Sequence, residues 1–143
     1  MPLAGMILAL HWISFFRSIQ LSTVAIGLLS YASFPVWITV FEPILFRFKL
    51  RWVDGLTTLI TVTGLVLVVP RFDFRNEIFQ GVLWGTAAGC TYAILSLINR
   101  HLAQRVHPLS VAFSQHAIAF IVCLPSALIS GRMPAPREWI LLA

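Results

Sequence analysis

Charged residues are scarce in this sequence of 143 residues, and their scarcity excludes a soluble globular domain. Only 10% of the residues are charged, with 10 Lys and Arg against 5 Asp and Glu, whereas soluble domains average roughly 25%. Hydrophobic residues make up 59%, and the mean hydropathy is +0.89. A small soluble chain leaves much of its surface in water and cannot hide so much apolar area. Disorder is excluded as well, because it requires low hydrophobicity and high net charge.

Catalytic and metal-binding patterns are also absent from the sequence. It contains no cluster of His, Cys, Asp and Glu at metal-ligand spacing, no paired carboxylates within an apolar span and no glycine-rich phosphate loop. Cys90 and Cys123 lie inside apolar spans, where cysteine behaves as a small hydrophobic residue. The basic residues lie in short connectors and not on the clustered basic face that binds nucleic acid. We therefore expect no enzyme, cofactor, metal site or nucleic-acid partner.

The positions of the charges divide the sequence into apolar spans. Thirteen of the fifteen charges fall at 47–54, 71–77, 100–105 and 132–138. The stretches between them suit helices that cross about 30 Å of hydrocarbon, and none alternates polar and apolar residues as a barrel strand does. The spans are predicted at 3–19, 24–46, 52–69, 78–98 and 109–130, and a sixth begins at Trp139. The sequence thus predicts an all-α polytopic transmembrane helix bundle of five full spans plus the start of a sixth.

Both ends of the sequence favour an incomplete bundle. Apolar sequence follows Met1 almost at once, and the last five residues are an apolar run that needs about fifteen more residues to cross a bilayer. We expect a fragment or a truncated product, with a complete five-helix protein as the alternative. The expected partners are the lipid bilayer and either the remainder of the bundle or a second copy.

The fourth span carries small residues at every fourth position. Gly81, Gly85, Gly89 and Ala93 fall on one face of a helix, where they allow a neighbouring backbone to approach closely. Tight packing inside one bundle is the simpler interpretation. A surface on which helices slide or rock is the functional alternative.

Glu42 is the most informative single residue, because an acidic group within a span is costly unless it faces a cavity or a partner. It lies near the end of the second span, where it could pair with Arg47 or Arg51. The sequence leaves two interpretations open, a structural ion pair and a role in binding a substrate or a proton.

The prolines of the second span indicate a bent helix. Pro35 and Pro43 each lack a backbone donor and favour a kink, and transporters build their sites from bent or broken helices near the midplane. Pro35, with the nearby Ser30, Tyr31 and Ser33, is therefore the candidate for the lining of a substrate or proton pathway.

Two polar residues of the fifth span and one basic residue of the first complete the candidates. His116 and Gln115 are candidates for a substrate or proton pathway, and small residues on its face predict that His116 points into the bundle. The alternative for His116 is a hydrogen-bonded core histidine. Arg17 lies about one turn from the end of its span, where a long side chain can reach the headgroups, so we expect an interfacial anchor.

Several segments resemble the EamA-type proteins of the drug/metabolite transporter superfamily. The segment at 9–16, Ala-Leu-His-Trp-Ile-Ser-Phe-Phe, together with 19–25 and the Phe-Pro-Val step at 34–36, is similar to that family's third and fourth helices. The segment at 64–68 resembles the end of the fifth helix, and 81–108 resembles the start of the second repeat. The family often has a Gly-Glu-Arg/Lys step after the fourth helix, whereas this chain has Arg-Phe-Lys at 47–49 and an earlier Glu42-Pro43.

The resemblance implies an architecture of two inverted five-helix repeats. Residues 1–70 would be the last three helices of a first repeat, 78–143 the first two helices and the start of a third of a second repeat, and 71–77 an extracytoplasmic connector. Counting Lys and Arg on each side gives a tie of five against five, so charge alone does not set the orientation. The resemblance places 47–52 and 99–108 in the cytoplasm.

The resemblance also implies a function. It indicates a secondary transporter of small metabolites or drugs that works by alternating access in the bacterial inner membrane, with an unidentified substrate and no cofactor. The alternative is a non-transporting truncated membrane protein or a membrane interaction partner.

Overall fold

The computed structural model describes residues 2–46, 51–68 and 73–130, except for the side chains of residues 126, 127, 129 and 130. Within these ranges the chain forms helices and no strands, which confirms the predicted all-α bundle. The helices are α1 Pro2–Leu21, α2 Val24–Tyr31, α3 Phe34–Phe46, α4 Trp52–Val68, α5 Glu77–Leu102 and α6 Pro108–Ser130. The expected start of a sixth span at Trp139 lies outside the described residues.

Among the described residues, α1, α5 and α6, and α2 together with α3, are long and apolar enough to cross a bilayer. Four candidate spans meet that condition among the described residues, namely Pro2–Leu21, Val24–Phe46, Glu77–Leu102 and Pro108–Pro125. The helix α4 is apolar but has only 17 residues, or about 26 Å at 1.5 Å per residue. No residue of α4 is buried, as expected of a helix that faces lipid. The chain is a multi-pass membrane protein.

Polar side chains at helix starts explain where several helices begin. The side chain of Thr23 accepts a hydrogen bond from the backbone N–H of Ile26 at the start of α2. Asn76 accepts from the N–H groups of Ile78 and Phe79 at the start of α5. Such caps satisfy donors that have no partner within the helix, so both connections can be short.

The second predicted span, 24–46, is confirmed as one apolar stretch long enough to cross a bilayer, and the bend expected at Pro35 is a full break between two helices. The break lies at Ala32 and Ser33, between α2 and α3. Its physical reason is Pro35, whose ring would clash with the carbonyl of Tyr31 four residues earlier and which has no N–H to donate to it. A proline is tolerated in the first turn of a helix, so Pro35 lies at the start of α3, and Pro43 remains inside that helix.

The helix α5 lies at the centre of the bundle, packed against α1, α2 and α3. Its glycine face makes this close packing possible. A Cβ added at Gly81 would lie 2.6 Å from the Cβ of Ser22, and one added at Gly89 would lie 2.8 Å from the Oγ of Ser33. Ala93, on the same face, is fully buried. Glycine and serine therefore form the contact between α5 and the first two spans.

The helix α6 packs against α1 on another side of the bundle. A Cβ added at Gly5 would lie 2.7 Å from the Cγ2 of Ile118, so this contact also depends on a glycine. Ala4, Leu8, Ala9, Leu95 and Ala119 form a small buried apolar cluster where α1, α5 and α6 meet. The bundle is held by close backbone approach more than by large interlocking side chains, which is typical of membrane helices.

Candidate functional site

Five ring side chains from four helices meet beside the break between α2 and α3. We call them the aromatic cluster: His11 and Phe15 of α1, Tyr31 of α2, Phe34 of α3 and Tyr92 of α5. The ring centroids of His11, Tyr31 and Tyr92 lie 5.4 Å apart in each pair. Phe34 lies 5.3 Å from Tyr92, and Phe15 lies 5.7 Å from Tyr31. These separations are typical of directly contacting aromatic rings.

The aromatic cluster lies near the middle of the spans. His11 is close to the midpoint of α1, which runs from Pro2 to Leu21, and Tyr92 is close to the midpoint of α5. All five rings are only partly buried. The cluster is therefore a surface of aromatic and polar groups at the depth of the hydrocarbon core, where polar side chains usually face a cavity or a partner.

His11 supplies the polar centre of the cluster. Its Nδ1 lies 2.9 Å from the carbonyl oxygen of Ala88. Because a carbonyl only accepts, Nδ1 carries the proton and donates to it. In the neutral ring this leaves Nε2 as an acceptor, so the imidazole can accept a hydrogen bond from a bound molecule while α5 fixes its orientation.

Two buried hydroxyl groups lie at the same break in the backbone. Ser30 is fully buried and Ser33 is 4% exposed, and neither Oγ has a hydrogen-bond partner among the described residues. Leaving a buried hydroxyl without a partner is unfavourable, and such groups are uncommon in folded proteins. They are chemically suited to bind a molecule that supplies the partner.

Glu42 forms an ion pair that the local sequence did not indicate. Arg100, near the end of α5, donates to its carboxylate from 58 residues away. The structural interpretation, an ion pair, is thus confirmed with Arg100 as the partner in place of Arg51; Arg47, the other expected partner, lies outside the described residues. The reason is that α3 and α5 pack side by side, which brings the ends of both helices together.

The polar pair predicted on the fifth span is divided between two environments. Gln115 is buried on the face of α6 that carries Val111 and Ala119, and its amide donates to the Oδ1 of Asn99 on α5. His116 is one residue further around the helix, exposed, and bonded to the carbonyl of Ala112. His116 is more exposed than expected, because the buried face of α6 follows positions 111, 115 and 119, but its ring contacts that of Trp12 on α1 with 5.7 Å between the centroids.

The predicted pathway residues thus do not form one site. Tyr31 belongs to the aromatic cluster, and Pro35 directly follows its Phe34. Glu42 lies near the far end of α3, while His116 and Gln115 line a separate cavity of about 270 Å³ beside Asn99. Whether any of them contacts a substrate or a proton stays a prediction.

Sequence reasoning missed most of the aromatic cluster. The sequence made His11 a weaker candidate of the same kind as His116 and favoured packing for Tyr92, whereas Phe15 and Phe34 are ordinary residues for apolar helices when each is considered alone. Two signals were present: an imidazole in the middle of the first span, and the Phe-Pro step that begins α3. Neither signal indicates that α1 and α5 lie side by side, and that contact brings the rings together.

Comparison with known proteins gives one relative that is named as a transporter. This relative is the uncharacterized transporter YxxF of Bacillus subtilis (strain 168), and the two sequences are 22% identical over 124 residues. The aligned region covers 85% of this chain and 40% of the relative, so the chain spans about two fifths of the relative's length. No family model matches the chain, and no solved structure matches it.

Proposed function

We propose that this chain is part of a secondary transporter of small metabolites or drugs, of the EamA type, which works by alternating access across the bacterial inner membrane. Residues 1–70 and 78–143 would belong to two inverted repeats joined by an extracytoplasmic connector at 71–77. The rest of the bundle would come from further helices or from a second copy of the chain.

The observation that carries this proposal is the helix break at Ala32 and Ser33 near the middle of a span. Irregular backbone at that depth is tolerated where it is buried in protein or lines a cavity, and transporters place their binding sites at such breaks. The break carries two unpartnered hydroxyls and adjoins the aromatic cluster. The transporter name of the relative supports the same class of function.

Each part of the site has a chemical role in this proposal. The rings of Tyr31 and Tyr92 offer flat apolar surfaces, and the Nε2 of His11 accepts one hydrogen bond. The hydroxyls of Ser30 and Ser33 are packed against Gly85 and Gly89 of α5, so they would donate or accept others once α2 and α3 move away from α5. This arrangement suits a small molecule with an apolar body and one or two hydrogen-bonding groups. The glycine face of α5 would let the first two spans move against it with few clashes between side chains.

Uptake into proteoliposomes tests the proposal. The protein would be reconstituted and offered a panel of labelled amino acids, nucleosides and organic cations with and without a proton gradient. For any compound that is transported, His11→Ala and Tyr31→Ala should each lower uptake at least tenfold, since each removes a group from the binding surface. Phe120→Ala on α6 is the matched control, because this ring is 61% exposed and outside the aromatic cluster.

Two outcomes contradict the proposal. Uptake that survives in both His11→Ala and Tyr31→Ala would show that the aromatic cluster does not bind the substrate. Binding of no compound, measured by thermal shift across the same panel, would favour the alternative of a non-transporting membrane protein.

A further inference from the structure

A groove on the outer surface of the bundle has one cationic side chain at its end. It has a volume of about 560 Å³, and its Trp12 and Phe16 directly follow His11 and Phe15 of the aromatic cluster in α1. Its walls are lined by Trp12, Phe16, Arg17 and Gln20 of α1, Trp84 of α5 and Cys123 of α6. The walls are mainly apolar, whereas the guanidinium and the amide both lie within the last five residues of α1. The groove is amphipathic along its length.

Arg17 keeps most of its hydrogen-bonding capacity. Its Nη1 donates to the Oε1 of Gln20 at 3.5 Å, and among the described residues it forms no ion pair with a carboxylate. A guanidinium has five N–H donors, so several remain for a ligand. Arg17 lies four residues before the end of α1, or about 6 Å along the axis, a depth from which its side chain reaches the headgroup layer.

We propose that this groove is a binding site for one anionic phospholipid molecule. The phosphate would bind Arg17 and the amide of Gln20, and an acyl chain would lie along Trp12, Phe16 and Trp84. The planar guanidinium matches a phosphate with two parallel hydrogen bonds. Basic pockets between transmembrane helices are known to bind anionic headgroups. Phospholipid is also the medium in which a multi-pass protein lies.

The groove distinguishes this proposal from simple anchoring at the interface. An arginine that only reaches toward the headgroups contacts whichever lipid is nearby and requires no shaped wall beside it. Here two tryptophans from different helices and a phenylalanine form such a wall. The wall would hold the acyl chain in a fixed place, and Arg17 would favour phosphatidylglycerol because phosphatidylcholine has its own cation beside the same phosphate.

Lipid retention measured by native mass spectrometry tests the site. The purified protein would be mixed with phosphatidylglycerol or phosphatidylcholine in micelles, and the bound lipid counted. We expect phosphatidylglycerol to be retained preferentially and its binding to weaken about tenfold in Arg17→Gln, since a charge-assisted hydrogen-bonded pair is lost. Arg17→Lys keeps the positive charge but loses the two parallel hydrogen bonds of the guanidinium. Its affinity for phosphatidylglycerol should therefore lie between those of the unchanged protein and of Arg17→Gln.

Matched controls separate this site from general effects of charge or surface. Arg105→Gln removes an exposed cation from the loop between α5 and α6 and should leave retention unchanged. Phe16→Ala should weaken retention, whereas Phe113→Ala, at a ring that is 78% exposed on α6 and outside the groove, should not. Equal retention of both lipids, or equal loss in Arg17→Gln and Arg105→Gln, would overturn the proposal.

Two further measurements test whether the molecule in the groove is a phospholipid. Glycerol 3-phosphate, which has the headgroup chemistry without acyl chains, should fail to displace the lipid; displacement at similar concentrations would mean that the apolar wall contributes nothing. A photo-crosslinking side chain placed at Ile13, which also lines the groove, should form adducts with phospholipid in membranes. Adducts with protein alone would show that another helix covers the groove and would overturn the proposal.

Discussion

Arg100 on α5 donates a hydrogen bond to the carboxylate of Glu42 on α3 and ties the ends of these two helices together. Arg100 also lies over the ring of Phe46, 5.9 Å from its centroid. The ion pair is partly exposed, with 53% of the Arg100 side chain and 29% of the Glu42 side chain accessible. The pair therefore acts as a contact at one end of the bundle and not as a charge enclosed in the hydrocarbon.

The first prediction concerns the strength of this pair. Exposed ion pairs contribute about 0.2–1 kcal/mol, so Glu42→Gln should lower the free energy of unfolding by less than about 1 kcal/mol. A double-mutant cycle with Arg100→Gln, measured by unfolding in detergent, should give a coupling energy in that range that decreases with added salt. Arg51→Gln is the control, and an equally large coupling between Glu42 and Arg51 would contradict the assignment.

The second prediction concerns the glycine face of α5. A Cβ added at Gly85 would lie 2.9 Å from the Oγ of Ser18 and closer still to Ser30, so Gly85→Ala should destabilise the bundle by about 1–3 kcal/mol through overpacking. Gly64 of α4 has no atom within 4 Å of an added Cβ, and Gly64→Ala should cause no loss. Thermal unfolding of both variants in the same detergent gives the comparison, which fails if the two melt alike.

The third prediction separates the two kinds of buried serine. Ser18 donates to the carbonyl of Gly81 at 2.7 Å, so Ser18→Ala should lose about 0.5–1.5 kcal/mol of stability. Ser33 has no hydrogen-bond partner among the described residues, so Ser33→Ala should keep or slightly increase stability, since it removes an unsatisfied group.

Binding should respond to the same two substitutions in the opposite order. Ser33→Ala should raise the KM for a transported compound, because it removes a hydroxyl from the proposed site, whereas Ser18→Ala should affect mainly stability. A Ser33→Ala protein that is clearly destabilised would indicate that its hydroxyl already has a partner.

The fourth prediction concerns the amide pair between α5 and α6. Asn99→Ala would leave the amide of Gln115, which is 4% exposed, without its partner, so we expect a loss of about 1–3 kcal/mol. Gln104→Ala, at an exposed position after α5, should cause no measurable change. Unfolding in detergent gives both values. Equal stability of the two variants would mean that the amide pair does not hold α6 in place.

Much of the fold can be predicted from composition and spacing, because a bilayer constrains helices strongly. The charge windows locate the connectors, and the four-residue spacing of Gly81, Gly85 and Gly89 identifies the face on which α5 packs. The helix break before Pro35 could also be predicted from the sequence, because in a continuous helix the proline ring would clash with the carbonyl of Tyr31. The predicted bend at Pro35 is therefore found at the expected place, and the structure adds that the proline begins a separate helix within the span.

The candidate site could be predicted only in part, because it depends on which helices are neighbours. Spacing along one helix suggested partners for Glu42 within nine residues, whereas its actual partner is 58 residues away. Tyr31 was identified from the nearby proline, but its contacts with His11 and Tyr92 follow from α1 and α2 packing on α5. The periodicity of one helix identifies which of its residues share a face, but it does not indicate which other helix that face contacts.

The pairing of α1 with α5 has a consequence for biosynthesis. The hydroxyl of Ser18 finds its acceptor at Gly81, 63 residues later in the chain. At a synthesis rate of about 5–20 residues per second, that interval corresponds to roughly 3–13 s. During this time the first helix has left the ribosome with the buried serines of its packing face, Ser14 and Ser18, exposed to lipid or to the insertion machinery. The packing face of α1 is therefore completed only after α5 has been synthesised and inserted.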